Sequence, residues 1–184
     1  MAGSSVDLDT RLLFTVLLAL IVLQRLGELA LSRRNQEWLL ARGGREIGAG
    51  HYPAMVVLHS LFLASCLVEV WWWGRPFDLR LALAMLAVLA VATALRYWAI
   101  RTLGRRWTTR ILLLPDAPRI REGPYRFFSH PNYLAVILEI AALPLVHTAW
   151  LTAAVFTVAN STLLAVRVRV EEQGLRGESY TEPT

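Results

Sequence analysis

Lysine is missing from this sequence: all 19 basic residues among the 184 are arginine. Cysteine occurs once, as Cys66 inside an apolar run, which excludes an internal disulfide and reads as packing. There is no glycine-rich phosphate loop, no dinucleotide fingerprint, no paired-cysteine metal site and no nucleophile elbow, so the chemistries those motifs carry are not expected. Internal repeats and low-complexity segments are absent too. Histidines 51, 59, 130 and 147 are scattered over different loops and apolar runs, which gives no support to a zinc or iron site. A haem-binding bundle needs two facing histidines at matching depth, and His59 and His147 fall at different depths. Asp7 and Asp9 replace the basic start of a signal peptide, and no small-residue cleavage site follows, so the first apolar run is expected to stay.

What is present is hydrophobic sequence in blocks. Apolar residues make up 55% of the chain, its mean hydropathy is +0.44, and its charges collect between long uncharged runs. Runs 12–31, 53–73 and 79–100 each approach the roughly twenty residues that cross a bilayer core as helix. The stretch 133–166 is too long for one crossing and is interrupted by Pro144, His147 and Thr148, which predicts a hairpin with arms 131–146 and 149–166. The expected fold is an all-α integral membrane protein with five transmembrane helices, the last two a helical hairpin of two shorter arms. No separate soluble domain fits beside them.

Fourteen arginines lie in segments 32–52, 101–127 and 167–184, against three (Arg11, Arg75, Arg80) at the opposite ends of the spans. By the positive-inside rule this predicts an external N-terminus, arginine-rich loops in the cytoplasm and residence in the cell membrane. The net charge of +5 is then a skirt facing anionic lipid, and no recognition motif for nucleic acid accompanies it.

Helix one is predicted to continue past the membrane to Gly43-Gly44. Arg25 and Glu28, three apart on its inner half, should pair toward the bundle. Glu69 and Arg96 lie near span ends, where side chains can snorkel. Trp71, Trp72 and Trp73 read as an aromatic anchor at the interface. The 101–127 loop, with three prolines and seven arginines, is long for so small a protein, and long ordered loops tend to be functional.

Two motifs stand at the arginine-rich ends of the last two helices. In GPYRFFSHPNY, 123–133, Pro131 suits the first turn of a helix, His130 stands at its mouth, and Tyr133 shares its face. In RVRVEEQGL, 167–175, Arg167 and Glu171 are four apart where helix five leaves the membrane. A hairpin brings the two ends together beside an apolar wall. Each motif alone has a plain reading, a helix cap and a solvated ion pair; their joint placement points to a site.

GPYRFFSHPNYLAV, followed after 30 residues by RVRVEEQGL, resembles the isoprenylcysteine carboxyl methyltransferase family of integral-membrane methyltransferases. RLGELALSRRNQEWLLARGGREIGAGHYP (25–53) and WTTRILLLP (107–115) are similar to its bacterial branch acting on long-chain alkylpyrones and alkylresorcinols from type III polyketide synthases. The resemblance implies a non-Rossmann site for S-adenosylmethionine built from segments 107–133 and 167–175. By position, Ala117, Pro118, Arg119, Ile120, Tyr125, His130, Pro131, Asn132, Tyr133 and Glu171 would hold it, and Arg167 would face the methyl acceptor. The tail after the paired glutamates, GLRGESYTEPT, departs from the aromatic-rich end usual in the family and keeps only Tyr180.

A carboxylate suits a cationic sulfonium cofactor, and the rings of Tyr125 and Tyr133 can face its cation. Methyl transfer to oxygen asks for alignment and desolvation more than proton chemistry. A guanidinium at 167 can grip a prenylcysteine carboxylate or an ionised hydroxypyrone alike. A resorcinol is a weaker acid and would want a base, for which His130 is the nearest candidate. The reading is thus an O-methyltransferase for a lipophilic acceptor that enters sideways between helices. Its alternatives are a prenylcysteine carboxyl methyltransferase and, from another class, a non-catalytic or haem-binding bundle.

Overall fold

The computed structural model describes residues 2–115 and 117–175. Five helices account for most of them: α1 (Ala2–Leu40), α2 (His51–Trp72), α3 (Leu79–Leu103), α4 (Pro131–Leu145) and α5 (Trp150–Leu175). Four of these, all but α4, are long and apolar enough to cross a membrane. At 15 residues α4 spans only about 22 Å, short of the roughly 30 Å apolar core. Five helices and the hairpin match expectation; α4 is the shorter arm expected, four helices rather than five have the length of a span, and α5, at 26 residues, is longer than its expected arm.

The helix ends follow from local chemistry. α1 closes where Gly43 takes φ +79°, a left-handed conformation that costs glycine little, and the Gly44 N–H reaches the Leu39 carbonyl at 2.9 Å. α3 begins at Asp78, whose carboxylate accepts from the Leu81 N–H at 2.9 Å. The α4–α5 turn contains Thr148 at φ +53°, and its hydroxyl donates to the Pro76 carbonyl at 2.5 Å. Glu69 of α2 then accepts from the first amides of α5, Leu151 at 3.1 Å and Thr152 at 2.6 Å, and also holds Arg75. Glu69 is thus a buried cap on a neighbouring helix rather than a snorkelling carboxylate.

A hydrophobic core lies toward the turn end, where Phe14, Phe62, Val70, Ile140, Leu143 and Val146 cluster. α4 packs mainly on α3 and α5, while α1 touches the bundle more thinly. What ties α1 at mid-depth is ionic. Arg25 bonds Glu28 at 2.5 Å and Glu139 of α4 at 2.7 Å, and Arg96 of α3 pairs with Glu139 and lies 3.8 Å from Glu28. Arg96 is 3% exposed, so the expectation that it snorkels is corrected: a carboxylate on α4 meets it inside the bundle.

At the arginine-rich end, two strands absent from the sequence reading form an antiparallel ribbon, β1 (Arg45–Ile47) on β2 (Ile111–Leu113), with Glu46 opposite Leu112. The extension of α5 seats on this ribbon at Gly174, where a Cβ would come within 2.4 Å of Ile47 Cδ1 and 2.9 Å of Leu113 Cδ1. That close approach sets where the glutamates of α5 stand.

Candidate active site

The last turns of α5, the mouth of α4 and the loop between α3 and α4 enclose a polar cleft of about 620 Å³. A 3₁₀ turn at Gly123–Arg126, with Gly123 at φ +55° against Thr102, projects Tyr125 into it. Pro131 opens α4 and leaves His130 just outside the helix. The His130 side chain caps nothing: Nε2 lies 3.3 Å from Glu172, Nδ1 lies 3.8 Å from Glu171, and the ring stacks on Tyr133 at 5.2 Å between centroids.

Ala117, Arg119, Ile120, Tyr125, His130, Asn132, Tyr133 and Glu171 all line this cleft. Two residues singled out from the sequence do not. Pro131 is fully buried in the first turn of α4, behind the cleft, and the exposed Pro118 offers its carbonyl to Arg106, a lining residue, at 2.8 Å. Tyr180 lies outside the described residues. The structure adds Trp107, Ser129 and Glu172 to the lining. Glu172 was legible as half of the Glu-Glu doublet; Trp107 carried only the signal of an aromatic in a polar loop.

A second cavity of about 610 Å³ runs along α1, α2, α3 and α4 and is mostly apolar. Several of its walls, among them Leu20, Leu26, Val56 and Leu86, are exposed on the outer surface of the helices, so it opens sideways between them. Trp107, Asn132 and Tyr133 line both cavities and therefore form the partition.

Arg167 and Glu171 do not pair directly across that partition. The Tyr133 hydroxyl donates to Glu171 at 2.5 Å and accepts from Arg167 Nε at 2.9 Å, so one phenol links a group of the polar cleft to a group of the apolar cavity. Arg167 Nη2 donates to the Thr109 carbonyl at 2.6 Å, and Nη1 faces the Met55 thioether at 3.3 Å, a weak acceptor. The Thr109 segment is held in turn by α1: Ser32 Oγ accepts from the Thr109 N–H at 2.9 Å, and Asn35 donates to the Trp107 carbonyl at 2.7 Å.

Electrostatically the partition is unusual. Arg167 is 7% exposed and forms no ion pair with a described residue, although a buried cation is costly without an anion. The Trp107 indole N–H is also buried without a hydrogen-bond partner among the described residues. Burial, reinforced by Glu171, pushes the Tyr125 phenol above its ordinary range, so it remains a donor at neutral pH. No group of three or more metal-ligating side chains occurs among the described residues. His59 Nδ1 is tied to the Met55 carbonyl at 2.8 Å, while His147 lies at the α4–α5 turn against Phe14 and Phe77.

Comparison with known sequences gives relatives that align over most of the chain. The chain is 36% identical over 173 residues to the uncharacterized protein YpbQ of Bacillus subtilis (strain 168), covering 89% of this chain and 97% of that one. It is 28% identical over 165 residues to an uncharacterized protein of Haemophilus influenzae (strain ATCC 51907 / DSM 11121 / KW20 / Rd), covering 89% of this chain and 95% of that one. The sequence model of one methyltransferase family matches residues 83–177, more than half of the chain and the part that carries α4, Tyr133, Arg167 and Glu171. The chain belongs to the isoprenylcysteine carboxyl methyltransferase family, a family of membrane methyltransferases.

Proposed function

We propose that the protein is an S-adenosylmethionine-dependent O-methyltransferase whose acceptor is lipophilic and carries an ionisable oxygen. The observation that carries this reading is the pair of cavities divided by Tyr133, one polar and one apolar, with a buried arginine on the apolar side that has no ion-pair partner among the described residues.

The polar cleft fits the cofactor by size and by chemistry. Its volume falls in the range of about 300–1,000 Å³ usual for small-molecule sites. It offers carboxylates (Glu171, Glu172) to cationic groups, guanidiniums (Arg106, Arg119, Arg121, Arg126) to a carboxylate, and the orphaned Trp107 N–H to an acceptor. When bound, S-adenosylmethionine supplies an electrophilic methyl group on a positively charged sulfur. Tyr125 and His130 line the cleft as walls, and Tyr133 fixes the orientation of Glu171.

On the other side, Arg167 orients the acceptor. Its Nε and Nη2 are committed to Tyr133 and Thr109, so Nη1, facing only a thioether, is the donor that an acceptor oxygen takes over. The surrounding apolar wall excludes water, which strengthens that contact. The three arginine-rich segments support a cytoplasmic cleft, reached by the cofactor from water and by the acceptor from the bilayer.

The N-terminal sequence resemblance supports a long-chain alkylpyrone or alkylresorcinol as acceptor, with a prenylcysteine as the competing class. The test is methylation by the detergent-purified protein of a long-chain alkylpyrone, an alkylresorcinol and N-acetyl-S-farnesylcysteine, together with calorimetric titration of S-adenosylhomocysteine. Methylation of the first two supports this reading. Methylation of the farnesyl compound alone moves the acceptor to the prenylcysteine class, and no S-adenosylhomocysteine binding overturns the cofactor site.

A further inference from the structure

Polar residues in a membrane cavity are expensive and mark function. The apolar cavity has such a collar: Arg25, Glu28, Arg96 and Glu139, joined by His59. The charged members satisfy one another through the ion pairs that tie α1, α3 and α4. His59 does not share in that satisfaction. Its Nδ1 faces the Met55 carbonyl at 2.8 Å, and because a carbonyl only accepts, Nδ1 carries the proton. The neutral ring then has a bare lone pair at Nε2, which has no hydrogen-bond partner among the described residues. With Nδ1 turned toward its own helix, the edge carrying Nε2 is the one left to line the cavity.

The spacing of this acceptor from Arg167 is set by α2. Met55, whose sulfur lies 3.3 Å from Arg167 Nη1, precedes His59 by four residues, so the two share a face about 6 Å apart along the axis. The Arg167 guanidinium, which reaches α2 from α5 at Met55, and the His59 ring thus meet α2 about one turn apart. Beyond them the cavity is apolar, ending against Leu17, Phe62 and Leu89.

Building on the acceptor reading above, we propose that His59 Nε2 is a second polar subsite that accepts a hydrogen bond from a second ring hydroxyl of the acceptor while Arg167 holds the oxygen to be methylated. The two oxygens of a 1,3-dihydroxylated ring lie about 5 Å apart, close to the helical pitch. The long chain of such a ring then follows the apolar end of the cavity. A ring without that second hydroxyl offers His59 nothing to accept, so the subsite favours an alkylresorcinol over a simple alkylphenol. His59 is a specificity residue here and takes no proton from the reacting oxygen.

The test is calorimetric binding of 5-undecylresorcinol and 3-undecylphenol to the detergent-purified protein with S-adenosylhomocysteine present, which needs no turnover. Wild type should bind the resorcinol roughly tenfold more tightly, the value of one hydrogen bond in a dry site. His59→Phe keeps a ring in the wall and should bring the resorcinol down to the phenol's affinity, while His59→Gln, which retains an acceptor, should recover part of the preference. Arg167→Lys should weaken both ligands alike. A tenfold preference that survives in His59→Phe overturns the proposal, and so does equal weakening of both ligands in that variant. If wild type binds both equally and Arg167→Lys weakens both, only the His59 subsite falls. If wild type binds neither, the acceptor cavity falls with it.

Discussion

Arg96 and Arg167 are buried to nearly the same degree, at 3% and 7% exposure, yet they live in opposite electrostatic settings. Arg96 meets Glu139 twice and lies near Glu28, with Arg25 completing a balanced cluster of two cations and two anions. Arg167 meets a phenol, a carbonyl and a thioether, none of them charged. Desolvation penalises both guanidiniums, but only one recovers the loss inside the protein. Buried charge alone therefore does not locate a site; buried charge lacking a partner does. The first arginine builds the bundle, and the second is the one we propose for the anion of an acceptor.

The largest effect should come from breaking the first setting. Glu139→Ala leaves Arg25 and Arg96 sharing Glu28 in a low-dielectric interior and should lower stability by about 3–5 kcal/mol. Arg167→Met removes an unpaired charge for the loss of a few hydrogen bonds, and its stability should stay within about 1 kcal/mol of wild type. Thermal unfolding of both variants in one detergent checks the contrast; equal destabilisation would erase the distinction.

The polar side of the partition should respond in affinity rather than stability. His130→Ala and Glu171→Gln each remove a rim group from the cleft and should weaken S-adenosylhomocysteine binding by roughly tenfold to a hundredfold, the value of a polar or charge-assisted contact of about 1–3 kcal/mol. Titration calorimetry reads this directly, with unchanged constants in both variants removing them from the site. Gly123→Ala should cost about 1 kcal/mol or more through its positive φ and the approach of its new Cβ to Thr102, and should loosen cofactor binding by displacing Tyr125.

The smallest effect concerns pH. The Tyr125 phenol is raised in the folded state by burial and by Glu171, so folding favours its proton. Its contribution is fully present below the ordinary tyrosine value of about 10 and is lost as pH rises from there toward the displaced value. Tyr125→Phe should flatten the alkaline part of a stability-against-pH curve and leave the curve between pH 6 and 9 unchanged.

Much of this arrangement is local and so was legible in the chain. Apolar runs of about twenty residues gave three of the long helices, and the break at Pro144 to Thr148 gave the hairpin. Arg25 and Glu28 could be paired from their spacing alone. The proximity of His130 to Glu171 followed from hairpin ends that must meet, and the structure has them 3.8 Å apart. What was not legible is what depends on which faces meet. Glu139 sits in an apolar run whose period does not say that it faces α1 and α3, so Arg96 looked free to snorkel. Three-residue strands such as Ile111–Leu113 carry no periodicity to read. The link from Arg167 through Tyr133 to Glu171 needs two helices in register, and sequence spacing alone gave only a direct pair.

The claim that most depends on the contrast between the two arginines is that Arg167 holds the acceptor and not the cofactor. Arg167→Lys keeps the charge but loses the planar fork that aligns an oxygen. On one detergent-purified sample, the dissociation constant for S-adenosylhomocysteine and the single-turnover rate of methylation of a long-chain acceptor should separate. The account predicts nearly unchanged cofactor affinity with a rate lower by roughly 100-fold, as misplacement of a reacting group costs. A wild-type rate, or a loss of cofactor affinity that accounts for the loss of rate, would contradict it.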